Sequence, residues 1–273
     1  MKVLVINLRR STERRAHMAR QLRRLAVDFE FVEAVDGAAM TPESLAQATG
    51  GQAAEAGGYR RSVVACAWSH VLAYRKIAAG EDRFGLVLED DIVVDRRLME
   101  LLPELTARYR EGEIVLLRYF SNRNGGLELT TVDARAVSAG YRLLSPVDPG
   151  AVASAGAYLL SRDTAASMRD ALFPIRHVAD DWAGFVRVGA CSGVRCLYPQ
   201  PVCDAPFATT IAYPATATRV HRLKGMVRRI LHRVPGSLAL LGAMAGRNPR
   251  HEIMVTDRSP GRQPDDSGMG PGR

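Results

Sequence analysis

The sequence contains no long apolar run. Its first hydrophobic stretch, Val3–Ile6, is followed by an asparagine and then by arginines, so it is too short for the core of a signal peptide and no cleavage site follows it. No window approaches the roughly 20 apolar residues that a helix needs to cross a bilayer. These absences predict a protein that is made and retained in the cytoplasm.

Cysteine is scarce, with four residues in a chain of 273. Cys191, Cys196 and Cys203 lie near one another, but they form no C-x-x-C pair and no histidine lies between them, which disfavours a structural zinc site. Cys66 is far from them in the sequence. We therefore expect reduced, buried thiols, as in a cytosolic enzyme.

Acidic residues are outnumbered by basic ones, 29 to 37, and the net charge of +8 favours anionic partners. Residues 219–250 contain eight of the Lys and Arg residues and no acid, and their apolar residues recur at helical spacing. This pattern predicts a basic amphipathic helix that lies on an anionic membrane surface or packs on its own domain. No aromatic residue interrupts the segment, so we expect no nucleic-acid partner.

The strongest signal that is present is FGLVLEDDIVVD at residues 84–95. Its apolar half predicts an interior strand of a parallel sheet, and the strand ends in Glu89, Asp90 and Asp91. Adjacent carboxylates repel one another, and at the carboxyl end of a strand, where α/β proteins bind ligands, a cation would offset that cost. Such oxygen ligands suit Mg²⁺ or Mn²⁺ together with substrate phosphates. A solvated acidic turn is the alternative.

Strands and helices alternate along the chain, which predicts an α/β fold with a Rossmann-type, mostly parallel sheet flanked by helices. Strands are predicted at 2–8, 29–35, 84–88, 114–117, 194–198 and 202–203, and helices after Thr41 and at 11–25, 61–79, 98–109 and 161–172. Residues 121–145 alternate poorly and predict a long functional loop. We expect one main domain at 1–205, a basic helical extension at 206–247 and a disordered tail at 248–273.

Two further groups of residues are candidates for the functional site. Arginines cluster where the first strand enters the first helix, namely Arg9, Arg10, Arg14 and Arg15. Arginine forks pair well with diphosphate oxygens, although a solvated basic helix face would look the same. Asp180 and Asp181 precede a predicted helix, where aspartate is also a preferred N-cap.

Four stretches, in this order, resemble glycosyltransferase family 25, which includes bacterial lipooligosaccharide galactosyltransferases and collagen galactosyltransferases. They are VINLRRSTERR at 5–15, FVEAVDG at 31–37, the Ser69-His70 pair leading to LVLEDDIVV at 86–94, and AGAYLLSRDTA at 155–165. The resemblance extends to about residue 190. It departs at RSVVAC, residues 61–66, where many relatives carry G-E-I-G-C, and we match no counterpart beyond Cys203.

The resemblance implies a GT-A-like fold and the transfer of a sugar, galactose in similar members, from a UDP-sugar to a hydroxyl of a cell-surface glycan or glycolipid such as lipopolysaccharide, with inversion. It places a metal, Mn²⁺ or Mg²⁺, on Asp91 with Glu89, and a base or acceptor contact on Asp180 or Asp181. Asp181 is preferred as the base if Asp180 is the helix cap. The donor-binding residues that it implies are Asn7, Leu8, Arg9, Arg14, Arg15, Ser69, His70, Glu89 and Asp90.

Other classes of function stay open at this point. A metal-dependent nucleotidyl- or phosphoryl-transfer enzyme would use the same acidic strand end and arginines, but no G-K-[ST] motif supports it. A non-enzymatic protein whose basic helix binds a membrane is a second alternative, and a family member that binds nucleotide without transfer activity is a third. In the transferase interpretation we expect a cytoplasmic enzyme, peripheral at the inner membrane.

Overall fold

The computed structural model describes residues 1–51, 61–123, 125–138, 140–207 and 252–257. The helices within these ranges are α1 Thr12–Arg24, α2 Pro42–Thr49, α3 Arg61–Ala78, α4 Arg97–Arg108, α5 Arg162–Ala171 and α6 Trp182–Arg187. The strands are β1 Lys2–Asn7, β2 Glu30–Glu33, β3 Phe84–Glu89, β4 Ile92–Val94, β5 Glu113–Ser121, β6 Leu127–Ala136, β7 Arg142–Pro146, β8 Val152–Ser161, β9 Gly193–Tyr198, β10 Val202–Asp204 and β11 Ile253–Thr256.

Among the described residues, nine strands form one sheet in the order β11-β6-β7-β9-β5-β8-β3-β1-β2. Strands β7 and β8 run antiparallel to both of their neighbours, and the other strands share one direction. The short strands β4 and β10 pair with each other outside this sheet. The predicted α/β fold with a mostly parallel sheet flanked by helices is therefore confirmed.

Helices cover both faces of the sheet at β1 and β3, which explains why these strands are apolar throughout. In β1, Leu4 and Ile6 enter the core beneath α3 and α5, whereas Val3 and Val5 enter the core beneath α1 and α4. A strand that is buried on both faces has no polar side to alternate with. None of the described helices is both long enough and apolar enough to cross a membrane.

Two predictions for later parts of the chain are wrong. Residues 121–145, predicted as a loop, contain β6 and β7, which pair as an antiparallel hairpin. The register of this pair shifts between Thr130 and Arg135, and such an irregularity interrupts the alternation that marks a strand. Within the tail that we expected to be disordered, β11 pairs in parallel with the first half of β6. The basic helix predicted at 219–250 lies outside the described residues.

The cysteines are all free thiols in the structure. Cys191 and Cys196 are buried as expected, and Cys66 is half-buried on α3. Cys203 on β10 is exposed, so the prediction of a buried thiol is wrong for this residue.

Candidate active site

A cleft of about 490 Å³ opens at the carboxyl ends of β1, β2 and β3. One wall is the cleft-facing side of α3, and the chain that follows each of the three strands supplies the rest. Open α/β sheets bind ligands at this edge. Of the residues predicted for the site, those that line the cleft are Leu8, Arg14, Ser69, His70, Glu89, Asp90 and Asp91.

The middle carboxylate of the acidic triplet, Asp90, is buried and neutralised. Its Oδ1 accepts a hydrogen bond from Arg14 at 2.7 Å, and its Oδ2 accepts one from Asn7 Nδ2 at 2.7 Å. Arg14 itself is 8% exposed, so this is a buried ion pair. Asp90 therefore anchors the end of β3 to the end of β1 and to α1.

Asp91 is in a different environment, because its side chain is 35% exposed in the cleft and shares Arg14 at 3.2 Å. Burial, together with the charge of Glu89, raises the pKa of Asp91 to about 6, and the neighbouring Arg14 opposes this rise. The carboxylates of Asp91 and Glu89 thus retain a repulsion that a cation would relieve. Their oxygens are the ligands that Mg²⁺ and Mn²⁺ prefer, so the donor set fits either ion.

Helix α3 supplies the Ser69-His70 pair to the same cleft. The hydroxyl of Ser69 accepts a hydrogen bond from Val35 N at 2.9 Å and donates to Ala65 O at 2.6 Å, so it fastens the chain after β2 to α3. The His70 ring lies between two partners, with Nδ1 2.8 Å from the Tyr158 hydroxyl and Nε2 3.2 Å from Glu89 Oε1. His70 thus orients Glu89 from the wall of the cleft.

The predicted arginines separate into different roles. Arg14 reaches into the cleft, whereas Arg15 lies over the Phe31 ring, 3.8 Å from its centroid, and its Nη1 is 3.4 Å from Asn7 Oδ1. Arg9 is exposed and is not among the described residues that line the cleft.

Asp181, and not Asp180, caps α6. Its Oδ1 accepts a hydrogen bond from Gly184 N at 2.9 Å, and its Oδ2 lies 2.7 Å from His177 Nδ1. The preference for Asp181 as the base depended on Asp180 being the cap, and this condition is not met.

The second aspartate, Asp180, accepts a hydrogen bond through Oδ2 from Ser154 N at 2.8 Å. Ser154 holds a positive φ of 88°, an uncommon conformation for a residue other than glycine. Burial raises the pKa of Asp180, and the charge of Glu89 raises it further, so the two carboxylates lie within electrostatic reach of each other. Neither Asp180 nor Asp181 is among the described residues that line the cleft.

Several cleft residues escaped the sequence-based prediction of the site. Asp36 lines the cleft and pairs at 2.5 Å with Arg10, a member of the predicted arginine cluster that lines the cleft as well. Cys66 lines the cleft one helical turn before His70. Gly37 lets the chain pass close to α3, since a Cβ there would come within 2.6 Å of Ser62 Cα. The FVEAVDG stretch was the available signal for Asp36 and Gly37.

Comparisons with known proteins point to one family. The model of the family described as "Glycosyltransferase family 25 (LPS biosynthesis protein)" matches residues 1–183. A candidate glycosyltransferase of Acanthamoeba polyphaga mimivirus is 34% identical over 121 residues, which are 43% of this chain and 36% of that protein. Procollagen galactosyltransferase 2 of Mus musculus is 27% identical over 129 residues, 42% of this chain and 20% of that protein. The matched regions are thus about a third and a fifth of these relatives.

Among solved structures, a candidate glucose-1-phosphate thymidylyltransferase from Bacillus anthracis, in complex with sucrose, is similar at a TM-score of 0.37 and 12% identity. The similarity covers 84% of this chain and 95% of the other. At this TM-score and identity, the similarity supports no inference about activity.

Proposed function

Because the chain belongs to glycosyltransferase family 25, we propose that it transfers galactose from UDP-galactose to a hydroxyl of a glycan or glycolipid, with inversion at the anomeric carbon. The observation that carries this proposal is the convergence of Arg14 and the acidic triplet on one cleft at the ends of β1 and β3, where the buried Asn7 donates a hydrogen bond to Asp90. The choice of galactose rests on the similarity to mouse procollagen galactosyltransferase 2.

The cleft has the chemistry that a nucleotide sugar requires. Ile6, Leu8, Ala34 and Val35 provide apolar surface for the flat faces of a base, and the Arg10-Asp36 pair beside them provides donors and acceptors for polar edges. Pockets for small ligands combine a mostly apolar lining with a few placed polar groups in this way. In this proposal the diphosphate lies at the acidic end, toward Asp91.

The acidic end would hold Mn²⁺ or Mg²⁺ through Asp91 and Glu89, while Asp90 stays with Arg14 and Asn7 as an anchor. When bound, such an ion stabilises the charge that develops on the leaving diphosphate. His70 holds Glu89 in place from α3. The chain's own contribution is thus a pair of carboxylates whose mutual repulsion an ion would relieve.

Transfer with inversion needs one base for the acceptor hydroxyl, and Asp180 is the residue we propose for it. The hydroxyl oxygen forms a bond to the anomeric carbon, the bond from that carbon to the diphosphate breaks, and the hydroxyl proton passes to the carboxylate. Burial raises the pKa of Asp180, which makes it a stronger proton acceptor than an exposed aspartate. The Ser154 N–H fixes one of its oxygens.

The acceptor is part of the proposal as well. The matched family is described as an LPS biosynthesis protein, and residues 219–250 carry basic residues without acids. Both features favour an acceptor at an anionic membrane surface, such as a lipopolysaccharide precursor at the cytoplasmic face of the inner membrane.

Calorimetric titration of the full chain with UDP-galactose, in Mn²⁺ and again in chelator, tests this function. We expect binding that requires the metal, that is lost in Asp91→Asn and that is retained in Asp28→Asn, an exposed control in the connection between α1 and β2. If a folded wild type binds neither UDP nor UDP-galactose with any divalent metal, the donor assignment is wrong. A nucleoside triphosphate that binds in their place would favour nucleotidyl transfer.

A further inference from the structure

A second group of ligand atoms lies in the wall of the cleft. Cys66 and His70 are four residues apart on α3, so their side chains leave the same face of the helix, and Glu89 reaches them from the end of β3. One sulfur, one ring nitrogen and one carboxylate oxygen from these residues lie within 4.8 Å of one another. All three residues line the cleft.

We propose that Cys66, His70 and Glu89 form a binding site for a soft divalent cation, Zn²⁺, distinct in its ligand chemistry from the Mg²⁺ or Mn²⁺ site of the transfer reaction. Zinc bound to cysteine, histidine and a carboxylate lies about 2.0–2.3 Å from each ligand, which places the ligand atoms roughly 3.3–3.8 Å apart. Small side-chain rotations of Cys66 and Glu89 close the remaining gap. Three protein ligands leave a fourth position toward the cleft, open to water.

The imidazole of His70 is already oriented as a ligand. Its Nδ1 lies 2.8 Å from the hydroxyl of Tyr158, a fully buried residue of β8, and this leaves Nε2 facing Glu89. Metal-binding histidines almost always have such a partner on the second ring nitrogen, which fixes the tautomer and the ring plane. The helix and the tyrosine together hold the nitrogen where an ion would meet it.

Carboxylates lie close to Cys66, and they attract a divalent ion to this position. A carboxylate oxygen of Glu89 lies within 4.8 Å of the Cys66 sulfur, and Asp91 lines the same cleft. Coordination forms the S–Zn bond and releases the thiol proton to water, as metal binding by cysteine does in general.

Ligand type separates this site from its neighbour. Thiolate and imidazole select zinc, whereas Mg²⁺ prefers oxygen ligands alone, and Mn²⁺ binds nitrogen and sulfur ligands least tightly of the first-row divalent ions. Glu89 cannot serve both ions in full, so zinc at Cys66 would weaken metal-dependent donor binding. This last consequence rests on the proposed function, but the cation site itself does not.

The test uses Co²⁺ as a spectroscopic substitute for zinc in the full-length protein. Wild type and Cys203→Ser, the exposed-thiol control, should each show a sulfur-to-cobalt charge-transfer band that added Zn²⁺ removes by displacement. Cys66→Ser should lack the band. Equilibrium dialysis should show that its zinc affinity is lower than that of the wild type by about 100-fold, because losing a ligand should cost at least as much affinity as losing a residue that only orients a ligand. No band in the wild type, or an unchanged band in Cys66→Ser, overturns the proposal.

A second variant and a second titration keep the outcomes separate. His70→Gln should also weaken zinc binding, and thermal unfolding of each variant checks that the fold persists. Each protein is then titrated with UDP-galactose in Mn²⁺, with and without Zn²⁺, and is compared with its own zinc-free titration. Added Zn²⁺ should weaken donor binding by the wild type and should weaken it much less in Cys66→Ser. Zinc binding without nucleotide binding would support the cation site and contradict the proposed function. Nucleotide binding without zinc binding would support the proposed function and contradict the cation site.

Discussion

Replacing Arg14 with methionine is expected to destabilise the fold, because Arg14 is the buried cation that balances Asp90. Its guanidinium donates to Asp90 at 2.7 Å and to Asp91 at 3.2 Å, and it lies 5.4 Å from the centroid of the Phe207 ring. Methionine retains most of the apolar stem and its packing. What the substitution removes is the positive charge between two carboxylates.

The magnitude follows from burial. Arg14 and Asp90 are 8% and 7% exposed, so solvent screens their interaction little. Removing one partner of a buried ion pair costs about 3–5 kcal/mol, because the other charge is left without compensation. For a folded region of about 200 residues, each kcal/mol lowers the melting temperature by roughly 2–4 °C, which gives a decrease of about 6–20 °C.

Calorimetric unfolding at pH 8 measures this decrease, with Arg20→Met as the matched control. Arg20 is exposed on the same helix, and its substitution should change the free energy of unfolding by less than about 0.5 kcal/mol. The double variant of Arg14→Met with Asp90→Asn should lose less than the sum of the single variants, by about 0.5–3 kcal/mol. If the melting temperature of Arg14→Met equals that of Arg20→Met, the buried ion pair does not stabilise the fold.

Three further outcomes are expected. The pKa of Asp91 is about 6 in the fold and 3.8 ordinarily, so the fold binds this proton more tightly and the carboxyl's contribution to stability falls as pH rises from about 4 to 6. Asp91→Asn should therefore melt above the wild type at pH 8 and level with it at pH 4, and equal melting at pH 8 would contradict the sign of the shift. Asp180→Asn should lower kcat by about 10²–10⁴ and leave the donor affinity unchanged. Asp181→Asn should change neither quantity, since asparagine caps a helix as well as aspartate does. A loss of kcat in Asp181→Asn and not in Asp180→Asn would make Asp181 the base. Ser69→Ala should reduce the free energy of unfolding by about 1–3 kcal/mol, because it leaves the backbone N–H of Val35, after β2, without its hydrogen-bond partner. The control is Ser167→Ala, at an exposed serine. Equal effects of the two substitutions would show that the Ser69 hydrogen bond does not stabilise the fold.

The sequence was most informative where both faces of an element are buried or where a residue marks its end. Strands β1 and β3 are continuous apolar runs because helices cover both faces of the sheet there. Helix α1 begins after Ser11, helix α2 begins after Thr41, whose side chain accepts from Ser44 N, and helix α3 ends shortly before Gly80. Such local signals operate through neighbouring residues and can be read without the fold.

The hairpin of β6 and β7 could not be predicted in this way. Its register shift places polar and apolar residues out of alternation, and Val132 on β6 is exposed. Strand β11 lies in a segment whose Gly, Pro and charged composition predicts disorder, and its pairing partner is 126 residues earlier, as in the pair Ile253 and Leu127. Long-range pairing outweighed local composition in both cases.

The composition of the site was predictable, but its division of labour was not. Glu89, Asp90 and Asp91 are adjacent in sequence, and what distinguishes them is a set of partners far along the chain. Asp90 meets Arg14, 76 residues away, and Glu89 meets His70, 19 residues away. The spacing of the three carboxylates does not reveal which of them pairs with a buried arginine.

This unequal neutralisation links the fold to the proposed chemistry. One carboxylate of the triplet joins β3 to β1 and α1, so its loss should reduce stability. Asp91 has a longer contact with the same arginine, at 3.2 Å, and burial raises its pKa, so its negative charge works against the fold. A cation would relieve the repulsion between Asp91 and Glu89, since Arg14 offsets the charge of Asp91 only in part. The same end of the cleft should therefore contain one residue, Asp90, whose loss destabilises the fold and another, Asp91, whose loss stabilises the fold and abolishes metal-dependent binding. A merely solvated acidic turn would show neither effect, because water would screen all three carboxylates alike.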